Sequence, residues 1–149
     1  MAMPYPKEGV DEVTATETEI VVRYCETDQM GVAHHASYVV WFEAGRTDFL
    51  KKLGLKYSDV EKQGVLLPLI GLKCRFINPA RYEDEIIVRT RLAEIGRVRI
   101  AFNYDVVIKE GMIHAASGET THAWTDKSFK PLNIEKRMPE LYSLLKGAL

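Results

Sequence analysis

The residues of this 149-residue chain that could do chemistry cluster in one run, Tyr24-Cys25-Glu26-Thr27-Asp28-Gln29-Met30-Gly31-Val32-Ala33-His34-His35-Ala36-Ser37-Tyr38. The run joins an apolar, β-type segment to a strongly helical one, and the joint carries Asp28, Gly31 and the adjacent His34 and His35. A helix N-terminus presents unpaired N–H groups and a positive partial charge. A carboxylate beside it supplies a base or a nucleophile, so the combination points to hydrolytic chemistry. Aspartate also caps helices and closes turns. Spacing alone leaves both roles open for Asp28.

Other chemistries fit the residues less well. His34, His35 and Asp28 invite a metal reading, but adjacent side chains diverge and no further acid or histidine stands at a recognised ligand spacing. No His-Glu-x-x-His signature is present, so no metal is expected. Cys25 with a neighbouring histidine would need a low-pKa thiol to act as a nucleophile. A small, buried thiol at a strand end is expected there instead. Ser37 lacks the Gly-x-Ser-x-Gly setting of a nucleophile elbow and reads as a first-turn helix residue. His114 and His122 share strand parity at eight positions apart and read as packing or hydrogen-bonding residues. No Walker A or dinucleotide-type glycine loop is present, which argues against nucleotide hydrolysis.

The elements that must hold the joint follow from periodicity. Glu17 to Tyr24 alternates as a strand, with Ile20, Val22 and Tyr24 on one face. From about Ala36 to Leu53, Tyr38, Trp41, Phe42, Gly45 and Phe49 recur at helical spacing, and Gly54 is the expected stop. Val39, Val40 and Leu50 widen the stripe, which predicts a helix embraced on several sides. Ser58-Asp59-Val60-Glu61 fits the capping box of a short second helix ended by Gly64. About four strands should follow, linked by hairpin-like turns at Asn78-Pro79-Ala80-Arg81, Gly96-Arg97 and Glu110-Gly111. The last long strand spans Met112 to Thr125, and a terminal helix spans Pro139 to Leu149. Hairpins imply antiparallel pairing, and one sheet curled around one helix buries both apolar surfaces.

Composition sets outer limits. Hydrophobic residues make up 46% and charged residues 28%, as in an ordinary globular domain. A net charge of −1 gives no general basic footprint for nucleic acid and no polybasic membrane patch. The apolar runs fall well short of the roughly 20 residues that span a bilayer. Residues 1–14 read as a flexible lead-in without a secretory core, so a cytoplasmic protein with free Cys25 and Cys74 is expected.

The segment Tyr24 to Arg46 resembles the hot-dog-fold acyl-CoA thioesterases, most nearly the 4-hydroxybenzoyl-CoA thioesterase family with its Tol–Pal-associated bacterial members. The residues that carry the resemblance are an acid, a glycine three positions on, Tyr/His-type residues, and a helix that runs Tyr, aromatic, acid. Phe76-Ile77-Asn78-Pro79-Ala80-Arg81-Tyr82-Glu83-Asp84 is similar to the family's bend between its second and third strands. The resemblance covers about residues 16–135. It implies an α+β hot-dog domain over residues 15–149, with an antiparallel sheet curled around one long central helix.

The implied activity is hydrolysis of a small or medium acyl-CoA to free acid and CoA, without cofactor. Asp28 takes the catalytic acid's place, the helix-start backbone N–H that donates to the oxyanion falls on His35, and Gly31 is the loop glycine. His34 stands where many members have tyrosine, and Met30 is bulkier than the residue often found there. His34 and Tyr38 are candidates to touch the acyl group. Glu43 either recognises a polar acyl substituent or pairs with Arg46 at i, i+3. Arg97, and second Arg99, are candidates to contact the phosphates of CoA; a solvated strand face is the alternative. Relatives form homodimers or homotetramers with sites between subunits. An acyl carrier protein thioesterase, another hot-dog enzyme such as a dehydratase, and a non-catalytic acyl-CoA-binding module stay open as alternatives.

Overall fold

The computed structural model describes residues 15–149; the lead-in expected over residues 1–14 lies outside the described residues. The helical period starting at the joint produces helix α1 (His35–Lys52), capped by His34 and closed with Lys51 and Lys52 in its last turn, where cations suit the helix dipole. Helix α2 (Tyr57–Lys62) follows. The strands are β1 (Ala15–Val21), β2 (Leu69–Phe76), β3 (Glu85–Ile95), β4 (Arg99–Ile108) and β5 (Ile113–Ala123). The short helix α3 (Ile134–Arg137) and helix α4 (Pro139–Gly147) end the chain. The strands form one antiparallel sheet in the order β1-β3-β4-β5-β2.

The i, i+3, i+4, i+7, i+11 series Tyr38, Trp41, Phe42, Gly45 and Phe49 is buried throughout against this sheet. On β4, Ile100, Phe102, Tyr104, Val106 and Ile108 meet it from the other side, all buried. Phe42 stacks on Tyr104 with centroids 4.5 Å apart, and Phe49 meets Phe102 edge-on. Two glycines permit this close approach. A Cβ on Gly45 would run into Thr90 Oγ1, and one on Gly118 would run into the Phe42 ring. Helix and sheet thus touch where a methyl group would push them apart.

Several sequence expectations need correction. Among the described strands, only β3–β4 and β4–β5 are hairpins. β2 pairs with β5 at the far edge, so residues 77–84, including Asn78-Pro79-Ala80-Arg81, form a crossover that bypasses β5 and β4 to reach β3. The first strand stops at Val21, and Tyr24 lies in a 3₁₀ turn, 77% exposed, instead of sharing a buried face with Val22. Helix α2 begins at Tyr57 after Lys56 with no side-chain cap, so Ser58 lies inside the helix. Tyr57 fixes that start, its hydroxyl accepting from Leu67 N–H at 3.1 Å. Val40 is 54% exposed, because the sheet covers α1 from one side only. Cys25 is exposed in the 3₁₀ turn; both cysteines are free thiols.

Candidate active site

Asp28 sits in a loop built by its own polar atoms. Its Oδ1 accepts from Met30 N–H at 2.9 Å, and its carbonyl accepts from Gly31 N–H at 3.0 Å. Aspartate first and glycine last is the order such a turn favours, and Gly31 has φ +80°, a region glycine enters freely. Asp28 N–H donates to Val32 O, and Thr27 and Ala33 pair as a bridge that closes the loop. Asp28 Oδ2 has no partner among the described residues. The turn-closing role therefore leaves one oxygen of the carboxylate unpartnered.

The loop ends in the helix. His34 Nδ1 accepts from Ala36 N–H at 3.1 Å, so its side chain is the N-cap of α1. Ser37 N–H donates to His34 O. The His35 backbone N–H is left without a partner among the described residues, as the first amide of a helix is. The His35 ring is exposed and lies over that of His34, with centroids 4.0 Å apart.

A cleft of about 330 Å³ brings Asp28 and His35 together with Tyr38. Met30, Val32 and Ala33 from the loop line it, as do Phe76, Ile77, Asn78 and Pro79 from the end of β2 and the crossover. The crossover buttresses the loop: Ala33 N–H donates to Ala80 O at 2.7 Å. Tyr38 packs edge-on against Phe76 at 5.0 Å. Burial pushes the Tyr38 phenol up, while the Ala80 backbone bond pulls the other way. The cleft is thus bordered by the residue with the unpartnered carboxylate oxygen, by the residue with the unpartnered helix-start N–H, and by an apolar wall.

The remaining sequence candidates fall elsewhere within the protomer. His34 caps the helix and does not line this cleft. Glu43 is exposed about 12 Å along α1 from His35. It makes no ion pair with Arg46 among the described residues; Arg46 instead donates to the Tyr104 hydroxyl at 3.2 Å. Arg99 pairs with Ala123, whereas Phe76 of the cleft pairs with Ala116, so Arg99 lies roughly 23 Å away along β5. Arg97, in the same β3–β4 hairpin, reaches Glu135 at 3.6 Å. Of the neighbouring arginines, Arg89 pairs with Glu17 and Arg91 with Asp105.

Sequence reasoning passed over Glu26. It is 6% exposed, yet its Oε1 accepts from Arg23 N–H at 2.8 Å and its Oε2 from Trp41 Nε1 at 2.8 Å. Burial opposes its charge, but those bonds and the Arg23 guanidinium hold its carboxyl below the usual value. The only signal in the chain is the Arg23–Glu26 spacing of i, i+3, which does not point to Trp41. His122 is buried, and Ser117, His114 and Asp105 cluster on the sheet face away from α1. Both Asp105 and Ser117 approach the same His114 nitrogen, Nε2, which is not the arrangement of a nucleophilic triad.

Comparison with known proteins gives matching results. Residues 22–140 match the Thioesterase-like superfamily. The candidate acyl-CoA thioesterase YneP of Bacillus subtilis is 36% identical over 134 residues, covering 89% of this chain and 96% of that protein. The DHNA-CoA thioesterase of Staphylococcus aureus superposes with a TM-score of 0.85 at 32% identity, with 89% of each chain covered. A hypothetical protein of Thermus thermophilus superposes with a TM-score of 0.81 at 39% identity, covering 91% of this chain and 98% of its own.

Proposed function

Since this chain belongs to the thioesterase-like superfamily and has an α+β hot-dog fold, we propose that it hydrolyses acyl-CoA thioesters at the cleft beside Asp28. The supporting observation is one apolar-walled cleft bordered by both Asp28 and His35, the residue with the unpartnered helix-start N–H. The thioester carbonyl oxygen accepts from His35 N–H, and the α1 dipole favours the charge that develops there. Asp28 then acts by one of two routes. As a base, it takes a proton from water while the water oxygen bonds to the carbonyl carbon; the C–S bond breaks, and the proton passes to the thiolate. As a nucleophile, its free oxygen bonds to the carbonyl carbon and expels the thiolate; water then splits the anhydride and restores Asp28. Either route yields a carboxylic acid and CoA thiol and needs no cofactor.

Gly31 holds the turn, His34 holds the helix start, and Tyr38 and Phe76 form the acyl wall. A second copy of the chain completes the site. β2 is a sheet edge, and Leu69, Ile70, Leu72 and Phe76 on it are 44–52% exposed. An open apolar edge seeks a partner strand, and Phe76 belongs to both that edge and the cleft. Glu43, Arg97 and Arg99, distant from the cleft of their own protomer, are assigned to substrate held by the neighbouring one. No helix among the described residues is long and apolar enough to cross a membrane, and we assign the enzyme to the cytoplasm.

A thiol-release screen across short, long, branched and aromatic acyl-CoAs, with acyl carrier protein thioesters alongside, tests this reading. Turnover that Asp28→Asn abolishes without loss of fold is the expected result. Tight binding with no thiol release from any substrate would leave a binding module, and a monomer in sedimentation at assay concentration would remove the shared-site arrangement.

A further inference from the structure

We propose that Glu26 is a positioning residue: it braces the Asp28 loop against the first two turns of α1 and so sets the spacing between the carboxylate and the His35 N–H. The inference rests on the reaction proposed above, but its evidence is separate. Glu26 is the one buried carboxylate among the described residues, and it touches the cleft nowhere. Its polar atoms tie helix α1 on one side to Arg23 on the other. Its carbonyl accepts from His34 N–H at 2.7 Å and from Ser37 Oγ at 2.9 Å, which grips the N-cap and first turn of α1. Its Oε2 accepts from Trp41 Nε1 one turn further on. Its Oε1 accepts from Arg23 N–H, and the Arg23 guanidinium lies within 3.4 Å of Oε2, which anchors the strand side. Asp28 is two residues downstream.

The chemistry explains why the group is a carboxylate. All its side-chain partners are donors, and an ionised carboxylate only accepts. A glutamine would turn an NH₂ group toward one of those donors, breaking that bond and pushing the loop off the helix. Charge-assisted bonds of this kind are also shorter and stiffer than neutral ones. The quantity held constant is a separation between two groups that must both meet one carbonyl, and a misplacement of about 1 Å there costs on the order of 100-fold in rate.

Steady-state kinetics of Glu26→Gln, Trp41→Phe, Ser37→Ala and the double variant Glu26→Gln/Trp41→Phe test the idea, well below each variant's melting temperature. The expected result for Glu26→Gln and Trp41→Phe is a fall in kcat of roughly 10- to 100-fold with KM changed by less than about threefold, because the lost alignment matters to the transition state. Ser37→Ala, which leaves the His34 bond intact, should lose less. The double variant should be no slower than the slower single one, since both act through one brace. The Glu26→Gln acid limb should match the wild type.

A purely structural role would lower the melting temperature and leave kcat intact in folded protein, which overturns the proposal. Loss of the acid limb in Glu26→Gln also overturns it, because Glu26 would then be the base. If Glu26→Gln does not fold, wild-type kcat in Trp41→Phe is enough to overturn it. Inert Asp28→Asn beside wild-type Glu26 variants defeats this inference alone; active Asp28→Asn defeats the underlying reaction.

Discussion

Acidification should destabilise this protein through one histidine. His122 is 2% exposed and belongs to a directional chain of hydrogen bonds between helix and sheet. Arg46 donates to the Tyr104 hydroxyl at 3.2 Å, Tyr104 donates to Thr120 Oγ1 at 2.7 Å, and Thr120 donates to His122 Nε2 at 2.9 Å. His122 Nδ1–H donates to Leu67 O at 3.2 Å. A proton added at Nε2 would turn Thr120 Oγ1 from donor to acceptor there and deprive the Thr120 hydrogen of its acceptor, at a site where burial and the Arg46 charge already oppose the cation. These two causes, burial first, lower the pKa from 6.5 to about 4. Above pH 6.5 neither the folded nor the unfolded chain binds this proton, so stability does not change. Between pH 6.5 and 4 only the unfolded chain binds it, and stability falls; below pH 4 the loss levels off. Two and a half pH units at about 1.4 kcal/mol each give a loss of about 3 kcal/mol. Urea denaturation from pH 7.5 to 4 measures it, with His122→Asn as the comparison. Asparagine keeps a donor for Leu67 O and gives up the Thr120 bond, so the variant should be roughly 1–2 kcal/mol weaker at pH 7.5. Its deficit should then shrink or reverse as the pH falls, while the other titrating groups cancel in the difference. Parallel curves for the two proteins over this range would refute the reasoning.

Asp28→Asn should lower kcat by roughly 100- to 10,000-fold at an unchanged urea midpoint, by thiol release and denaturation on the same preparation. His34→Ala removes the Nδ1 cap on Ala36 N–H and should cost about 1 kcal/mol; His34→Asn, another strong N-cap, should restore most of it. Gly118→Ala places a methyl group against the Phe42 ring, between helix and sheet, and should cost about 1–3 kcal/mol by urea denaturation.

How much of this was legible in the sequence depended on how local each cause is. The period of Tyr38, Trp41, Phe42, Gly45 and Phe49 belongs to a single helix, and it was readable because each residue's neighbour on the face lies three or four positions away. The hairpin at Glu110-Gly111 was readable for the same reason. The Asn78-Pro79-Ala80-Arg81 segment has turn composition, and composition does not say which strand comes next in space. β2 pairs with β5, about forty to fifty positions later, so the segment becomes a crossover. Its backbone then supports the Asp28 loop through Ala80, a contact between residues 47 positions apart.

The same division runs through the site. Asp28, His35 and Tyr38 reach one cleft because they flank a single loop–helix joint, and a motif can encode that. Glu26 lies inside the same motif and was passed over, because its meaning comes from Trp41, fifteen residues on, and from being buried at all. An exposed glutamate at that position would be a solvated surface charge; a buried one facing donors alone is a structural commitment. The arginines behave the opposite way. Arg97 and Arg99 have the right chemistry for phosphate but lie away from the cleft in one protomer, Arg99 by roughly 23 Å. Under the function proposed above they serve substrate held by a neighbouring protomer, and the exposed β2 edge is the surface proposed to pair the two. The loop–helix joint is thus written locally, whereas the contacts that brace it and the exposed sheet edge are set by residues far apart in sequence.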